Sequence, residues 1–210
     1  MAALDEIKEA LIRGDEPTLT TLVKEAMGEG ISAKEILNDG LIAAMDVVGE
    51  RMESGEMFIP EVLMSANVMA SAVAILKPEL AAAGVQATGK VVFGTVKGDL
   101  HDIGKNLVIM MLESAGFEVA DLGVDVAPEK FVAAVKESKP DILALSALLT
   151  TTMGMIGTTI DAVSGSGLRD QVRIMVGGAP ISQKFADEVG ADGYAADAGS
   201  AARLAKSLVQ

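Results

Sequence analysis

The sequence predicts a chain in two parts: a helical bundle, then an α/β part in which helices wrap both faces of a parallel sheet. Two observations predict it. Up to about residue 84, apolar side chains recur every three to four residues, the period of helices that each bury one face. From Lys90 onward, short apolar runs of strand length alternate with stretches of helical period, the rhythm of a doubly wound sheet. Between them lies AAGVQATG, residues 82–89, small and flexible enough to join two bodies. The expected boundaries are 1–84 for the bundle, 85–89 for a linker and 90–210 for the sheet domain.

Leu4, Ile7, Leu11 and Ile12 mark a first helix, and Leu19, Leu22, Val23 and Met27 a second after the break at Gly14-Asp15. A third is expected from Ser32, with Glu35 placed for a capping box, toward Met52. ESGEMF interrupts the pattern. Pro60 then suits the first turn of a fourth helix running to about Leu80, with Pro78 straining its last turn. Four helices on short loops make an antiparallel bundle. Strands are expected at KVVFGTV, EVADLG, DILALSA, VRIMVGG and GYAA, with helices near 104–115, 128–138, 152–164, 181–189 and 198–208.

A formal net charge of -13 disfavours nucleic acid and anionic membrane surfaces as partners, since both would repel the chain. The absence of cysteine excludes disulfides, thiolate-held metals and a cysteine nucleophile, and fits a reducing cytoplasm. The N-terminal MAALDEIKEALIRGDEP carries acidic residues where a signal peptide would be basic and then apolar. The uncharged run 62–76 is shorter than the roughly 20 residues of a membrane span, which favours a buried helix.

The only histidine, His101, lies in TVKGDLHDIGKN, between the first expected strand and its helix. In an open parallel sheet, ligands bind beyond the carboxyl ends of the strands. Neither G-x-G-x-x-G nor G-x-x-x-x-G-K-[ST] is present, so nucleotide binding by those routes is disfavoured. Two readings of His101 stand on the residues alone. It is a loop residue hydrogen-bonded to Asp99 or Asp102, or a metal ligand whose other ring nitrogen is held by Asp99. A single histidine cannot by itself cage zinc and there are no cysteines to help, so a lone protein ligand makes more sense where a macrocycle supplies the other donors.

Asp99-Leu100-His101-Asp102-Ile103-Gly104 matches the D-x-H-x-x-G signature of cobalamin-binding domains, Ser146-Ala147-Leu148 the S-x-L that follows, and Gly177-Gly178 the final G-G. On these three elements the chain resembles the corrinoid proteins of methyltransferase systems that act on methylated amines, methanol, betaines or methoxylated aromatics. It is also similar to the cobalamin-binding region of methionine synthase. The likeness covers nearly the whole chain, including EMFIPEVLMSANVMASAV and RDQVRIMVGGAP. It implies a four-helix bundle cap followed by a Rossmann-like, flavodoxin-like sheet.

The resemblance implies cobalamin or a related corrinoid with its own base displaced, and His101 as lower axial ligand to cobalt. Asp99 would accept the remaining imidazole proton, and a hydroxyl, first of all that of Thr152, would complete the relay. Thr150, Thr151 or Thr152 could equally be a helix N-cap. Gly98, Asp102, Ile103, Gly104 and Thr150 would join the ligand loop in contacting the cofactor, with Ser146, Leu148, Gly177 and Gly178 lining a slot for its nucleotide tail. Met52 and Ile59 would lie over the upper face. Met57, Met64 and Met69 fall in the same segments but suit an ordinary core. The implied role is methyl carriage. A substrate-specific methyltransferase loads the carrier, a second unloads it to a thiol or tetrahydrofolate-type acceptor, and a reductive activase restores it. The alternative is a cobalamin-dependent sensor or regulator, which commonly adds a DNA-binding module.

Overall fold

The computed structural model describes residues 2–210, which divide into two compact units with the break between Gln86 and Ala87. The first unit is helical. Helix α1 (Ala2–Ile12) buries Leu4, Ile7, Ala10 and Leu11, and α2 (Glu16–Gly28) buries Leu19, Val23 and Ala26. Asp15 starts α2 by accepting from the Thr18 amide at 3.2 Å.

The third helix departs from the expected single run. A short α3 (Ala33–Glu35), begun by Ser32 Oγ accepting from the Glu35 amide at 3.2 Å, passes into a π-helical stretch, Ile36–Ile42, before α4 (Ala43–Ser54). The π stretch contains Asn38, Asp39 and Gly40, three poor helix formers. Gly40 rests on α1, where a Cβ would come within 3.2 Å of Ile7 Cγ2. Gly55, in the left-handed region at φ 77°, ends α4.

Helix α5 (Ile59–Ala82) carries Pro60 in its first turn, and Glu61 Oε2 accepts from the Phe58 amide at 2.8 Å. It runs past the expected end at Leu80, with Pro78 inside it. Its 24 residues are long and apolar enough to cross a membrane, yet Val62, Ala66, Met69, Ala72 and Leu76 are buried in a bundle with α1, α2 and α4. Those residues form one face of the helix, turned into the bundle.

The second unit is a five-stranded parallel sheet in the order β2-β1-β3-β4-β5. Its strands are β1 (Lys90–Thr95), β2 (Glu118–Asp121), β3 (Ile142–Ser146), β4 (Arg173–Gly177) and β5 (Gly193–Ala195). The crossovers are α6 (Ile103–Ser114), α7 (Pro128–Ser138), α8 (Gly154–Gly165) and α9 (Gln183–Glu188), with α10 (Ala198–Leu208) closing the chain. Val92, Leu143, Leu145, Ile174 and Val176 pack on one face with Phe131 of α7 and Ile156 and Ile160 of α8. The alternate residues of the same strands point to the other face, where α6 and α10 pack together.

Two features of this topology position a site. The chain leaves β1 toward β2 on one side and returns to β3 on the other, so the β1/β3 boundary is the switch point at which such sheets bind ligands. The register also aligns Thr95 with Ser146, Ser146 with Gly177, and Gly177 with Ala195. The three separated sequence motifs are thereby brought to the carboxyl ends of three adjacent strands.

Candidate functional site

At that edge stands Asp99, a fully buried carboxylate. Its Oδ1 accepts from the His101 amide at 3.1 Å and lies 2.7 Å from His101 Nδ1. Its Oδ2 accepts from the Leu148 amide at 2.8 Å, the Leu149 amide at 3.3 Å and the Thr152 hydroxyl at 2.6 Å. Burial alone would raise its pKa. The Thr152 hydroxyl, the Leu148 amide and the His101 ring and amide outweigh burial and hold the carboxyl well below the usual carboxylate range. An ionised carboxylate only accepts, so His101 Nδ1 donates to it, and it is Nε2 that faces another partner, with its lone pair when the ring is the neutral imidazole.

Of the two partners the sequence allowed for His101, the ring takes Asp99. Asp102 instead occupies the cap position of α6 without a side-chain cap bond, and its carbonyl accepts from the Asn106 amide at 2.8 Å. Thr152 spends its hydroxyl on Asp99 and on the Leu149 carbonyl at 3.0 Å, not on a helix amide. Helix α8 starts two residues later than expected, after Met153. Thr150 is exposed in the turn before it.

The His101 side chain is 48% exposed and is surrounded in sequence and in the adjoining loop by exposed apolar residues: Leu100, Ile103, Leu148 and Leu149. Ile103 is 83% exposed. Four large apolar side chains are thus turned outward, on the loop after β1, the first residue of α6 and the loop after β3, an exposed apolar patch suited to binding. Gly104 lies in the first turn of α6, where an added Cβ would meet nothing within 4 Å. No internal packing calls for a glycine there. Gly178 is the reverse case: at φ 127° an added Cβ would fall 1.9 Å from the Ala147 carbonyl oxygen. Gly177 is less crowded, with the Ala195 carbonyl at 3.0 Å from such a Cβ.

Several residues that the motifs passed over complete the edge. Thr95 is fully buried, and its hydroxyl lies 2.9 Å from Ser146 Oγ and 3.0 Å from the His101 carbonyl. Lys105 is buried and donates to Asp121 Oδ2 at 2.6 Å and to Asn106 Oδ1 at 2.8 Å, tying α6 to the end of β2. Asp125, at φ 53°, accepts from the Gly98 amide at 2.8 Å and from Lys97, while its own amide donates to the Asp99 carbonyl at 2.9 Å. The ligand loop is therefore held on both flanks. Met52 and Ile59 belong to the helical unit, Met52 half-buried and Ile59 exposed; Met57 and Met69 are buried core and Met64 is exposed.

Among the described residues, no group of three or more His, Cys, Asp or Glu side chains is placed to hold a metal ion. His101 could offer a metal one nitrogen, and the remaining donors would have to come with a ligand. That donor set, with the open apolar loop and the unfilled space over Gly104, fits a flat metal-bearing macrocycle.

Comparison with known proteins gives the same direction. The family described as B12 binding domain matches residues 89–203, and a second one of the same description matches residues 3–77. The dimethylamine corrinoid protein of Methanosarcina barkeri is 44% identical over 98% of this chain and 97% of its own. A cobalamin-binding protein from Desulfitobacterium hafniense DCB-2, known from a crystal structure, superposes with a TM-score of 0.87 at 34% identity, covering 99% of this chain and 98% of that one. A chain of the methanol:cobalamin methyltransferase complex MtaBC from Methanosarcina barkeri gives a TM-score of 0.83 at 31% identity, covering 99% and 80%. The chain belongs to the B12 binding domain family and, within it, to the corrinoid proteins.

Proposed function

We propose that the protein is a corrinoid methyl carrier that receives a methyl group through a substrate-specific methyltransferase and yields it to a second methyltransferase for a thiol or tetrahydrofolate-type acceptor. The carrying observation is the Asp99 clamp on His101: Nδ1 is fixed at 2.7 Å and Nε2 is left free on a half-exposed ring. His101 Nε2 would be the chain's ligand to the cobalt of a bound corrinoid, taking the place of the corrinoid's own base. Support comes from relatives described as a dimethylamine corrinoid protein and as part of a methanol:cobalamin methyltransferase complex. When bound, the corrinoid supplies a cobalt centre that takes up and releases a methyl group.

The chain's own residues hold and orient that group. Asp99 keeps the proton on Nδ1 and makes Nε2 a better donor, and Thr152 keeps Asp99 ionised and aimed. Gly98, Asp102, Ile103, Gly104 and Thr150 form the loop contact, with Leu100 and Leu149 adding apolar cover. Ser146, Leu148, Gly177 and Gly178 form the tail slot. Residues 1–84 are the cap, 85–89 the joint and 90–210 the cofactor domain, with Met52 and Ile59 assigned to the upper face. A reductive activase is the third partner and the cytoplasm the compartment. In this scheme the chain carries the group, and the chemistry of donor and acceptor resides in the partner enzymes.

Gly104→Ala separates cofactor fit from fold. Because nothing lies within 4 Å of the added methyl and the site is helical, the cofactor-free variant should be more stable by about 0.5–1 kcal/mol. Its affinity for hydroxocobalamin should fall about tenfold, the effect of overfilling a close contact. Equal affinity for the two proteins in an equilibrium titration would argue against a cofactor over Gly104. Methyl carriage itself is tested by incubating the reduced, cobalamin-loaded protein with an isotope-labelled methylamine or methanol and the matching methyltransferase. One label should be recovered per bound corrinoid; none from any donor class would contradict the proposal.

A further inference from the structure

The hydroxyl of Thr95 has one proton and two oxygen neighbours, the His101 carbonyl at 3.0 Å and Ser146 Oγ at 2.9 Å. Neither the histidine clamp nor the glycine slot uses it. Thr95 is fully buried at the end of β1, directly across the register from Ser146, so its hydroxyl must be satisfied by these two partners. We infer that Thr95 is a positioning residue through which hydrogen bonding at Ser146 acts on the backbone of His101. The inference deepens, and rests on, the assignment of His101 to the metal and of Ser146 to the tail slot.

The coupling follows from counting protons. Two hydroxyl oxygens 2.9 Å apart need one proton between them. If Thr95 donates to the His101 carbonyl, Ser146 must donate to Thr95, and Ser146 can only accept from a ligand. If a ligand instead takes the Ser146 proton, Thr95 has to turn its own proton toward Ser146 and release the His101 carbonyl. An acceptor nitrogen or oxygen of a nucleotide tail at Ser146 therefore loosens the ligand loop, and a donor there tightens it. Asp99 fixes the ring and amide of the same residue, so Thr95 controls the part of His101 that Asp99 leaves free.

The test uses Thr95→Val, which keeps the shape and removes the hydroxyl, and Thr95→Ser, which keeps the hydroxyl. In the cofactor-free proteins, backbone amides of residues 99–106 should exchange about fivefold faster in Thr95→Val, the equivalent of one ordinary hydrogen bond, and at the wild-type rate in Thr95→Ser. In proteins saturated with hydroxocobalamin and reduced to cobalt(II), the share of the paramagnetic signal lacking nitrogen splitting should rise about fivefold in Thr95→Val. Ser146→Ala should shift the split-to-unsplit ratio more in the otherwise wild-type protein than in the Thr95→Val background, where only its direct effect on the cofactor tail remains. Unchanged exchange in Thr95→Val, or equal Ser146→Ala effects in both backgrounds, overturns the inference. A wild-type signal without nitrogen splitting overturns the assignment of His101 instead, and the cofactor-free exchange rates then decide the Thr95 contact separately.

Discussion

Asp99→Ala should lower the unfolding free energy of the cofactor-free protein by about 4 kcal/mol, the usual cost of emptying one side of a buried, charge-assisted network. The carboxylate takes five hydrogen bonds from four residues, His101, Leu148, Leu149 and Thr152. Alanine leaves the Leu148 amide and the buried Thr152 hydroxyl without their charged acceptor. Asp99→Asn, which keeps one oxygen but brings a donor where only acceptors fit, should recover about half of the loss. The pH dependence has a definite sign. The folded-state pKa of Asp99 is depressed, so its stabilisation is complete above the unfolded value of about 3.9 and drains away as the pH falls below it. Denaturant titrations at pH 7 and pH 3 should show wild type losing more stability than Asp99→Ala between the two. Parallel losses would mean that the carboxylate is not held ionised by the fold.

Gly178→Ala should cost about 3–5 kcal/mol, and for a different reason. A methyl group 1.9 Å from the Ala147 carbonyl oxygen overlaps backbone, which cannot swing aside as a side chain could. Alanine is also strained at φ 127° whatever the space. Relief requires moving the end of β4 away from β3, which would open the register pair Ser146 and Gly177. Thermal denaturation of the cofactor-free protein measures the loss, and a melting temperature equal to wild type would contradict the tight approach. Gly104→Ala, with the opposite expected sign, is the internal control for what a glycine is doing at this edge.

Much of this was legible in the sequence because it depends on local pattern. The alternation of VVFGTV and ILALS with helical stretches is enough to place β1 and β3, since a strand buried on both faces has no other use for such a run. His101 stood out because imidazole is so scarce here, and Asp99 because a carboxylate two residues away can reach back to its ring. What escaped depends on register. Thr95 reads as an ordinary strand end until β1 is paired with β3, which sets it against a serine 51 residues later. Lys105 reads as a surface lysine until β2 brings Asp121 to it. The amides of Leu148 and Leu149 carry no side-chain signal at all, although they hold the central carboxylate. The π-helical stretch Ile36–Ile42 escaped because the buried Ile36, Gly40, Ala44 and Val48 follow one another every four residues, so the apolar pattern reads as an ordinary helix. Asp125 sits at φ 53°, a conformation open to aspartate but not announced by it.

The account turns on whether His101 Nε2 binds cobalt. The direct measurement is the electron paramagnetic resonance spectrum of the protein loaded with hydroxocobalamin and reduced to cobalt(II), compared with that of His101→Ala. His101 is half-exposed and projects from a loop anchored by other groups, so the variant should fold. The expected result is nitrogen hyperfine splitting in the wild type that is lost in His101→Ala, with the cofactor's own base displaced in both. Identical spectra from the two proteins, or splitting that belongs to the cofactor's base, would leave His101 a clamped loop residue and contradict the account.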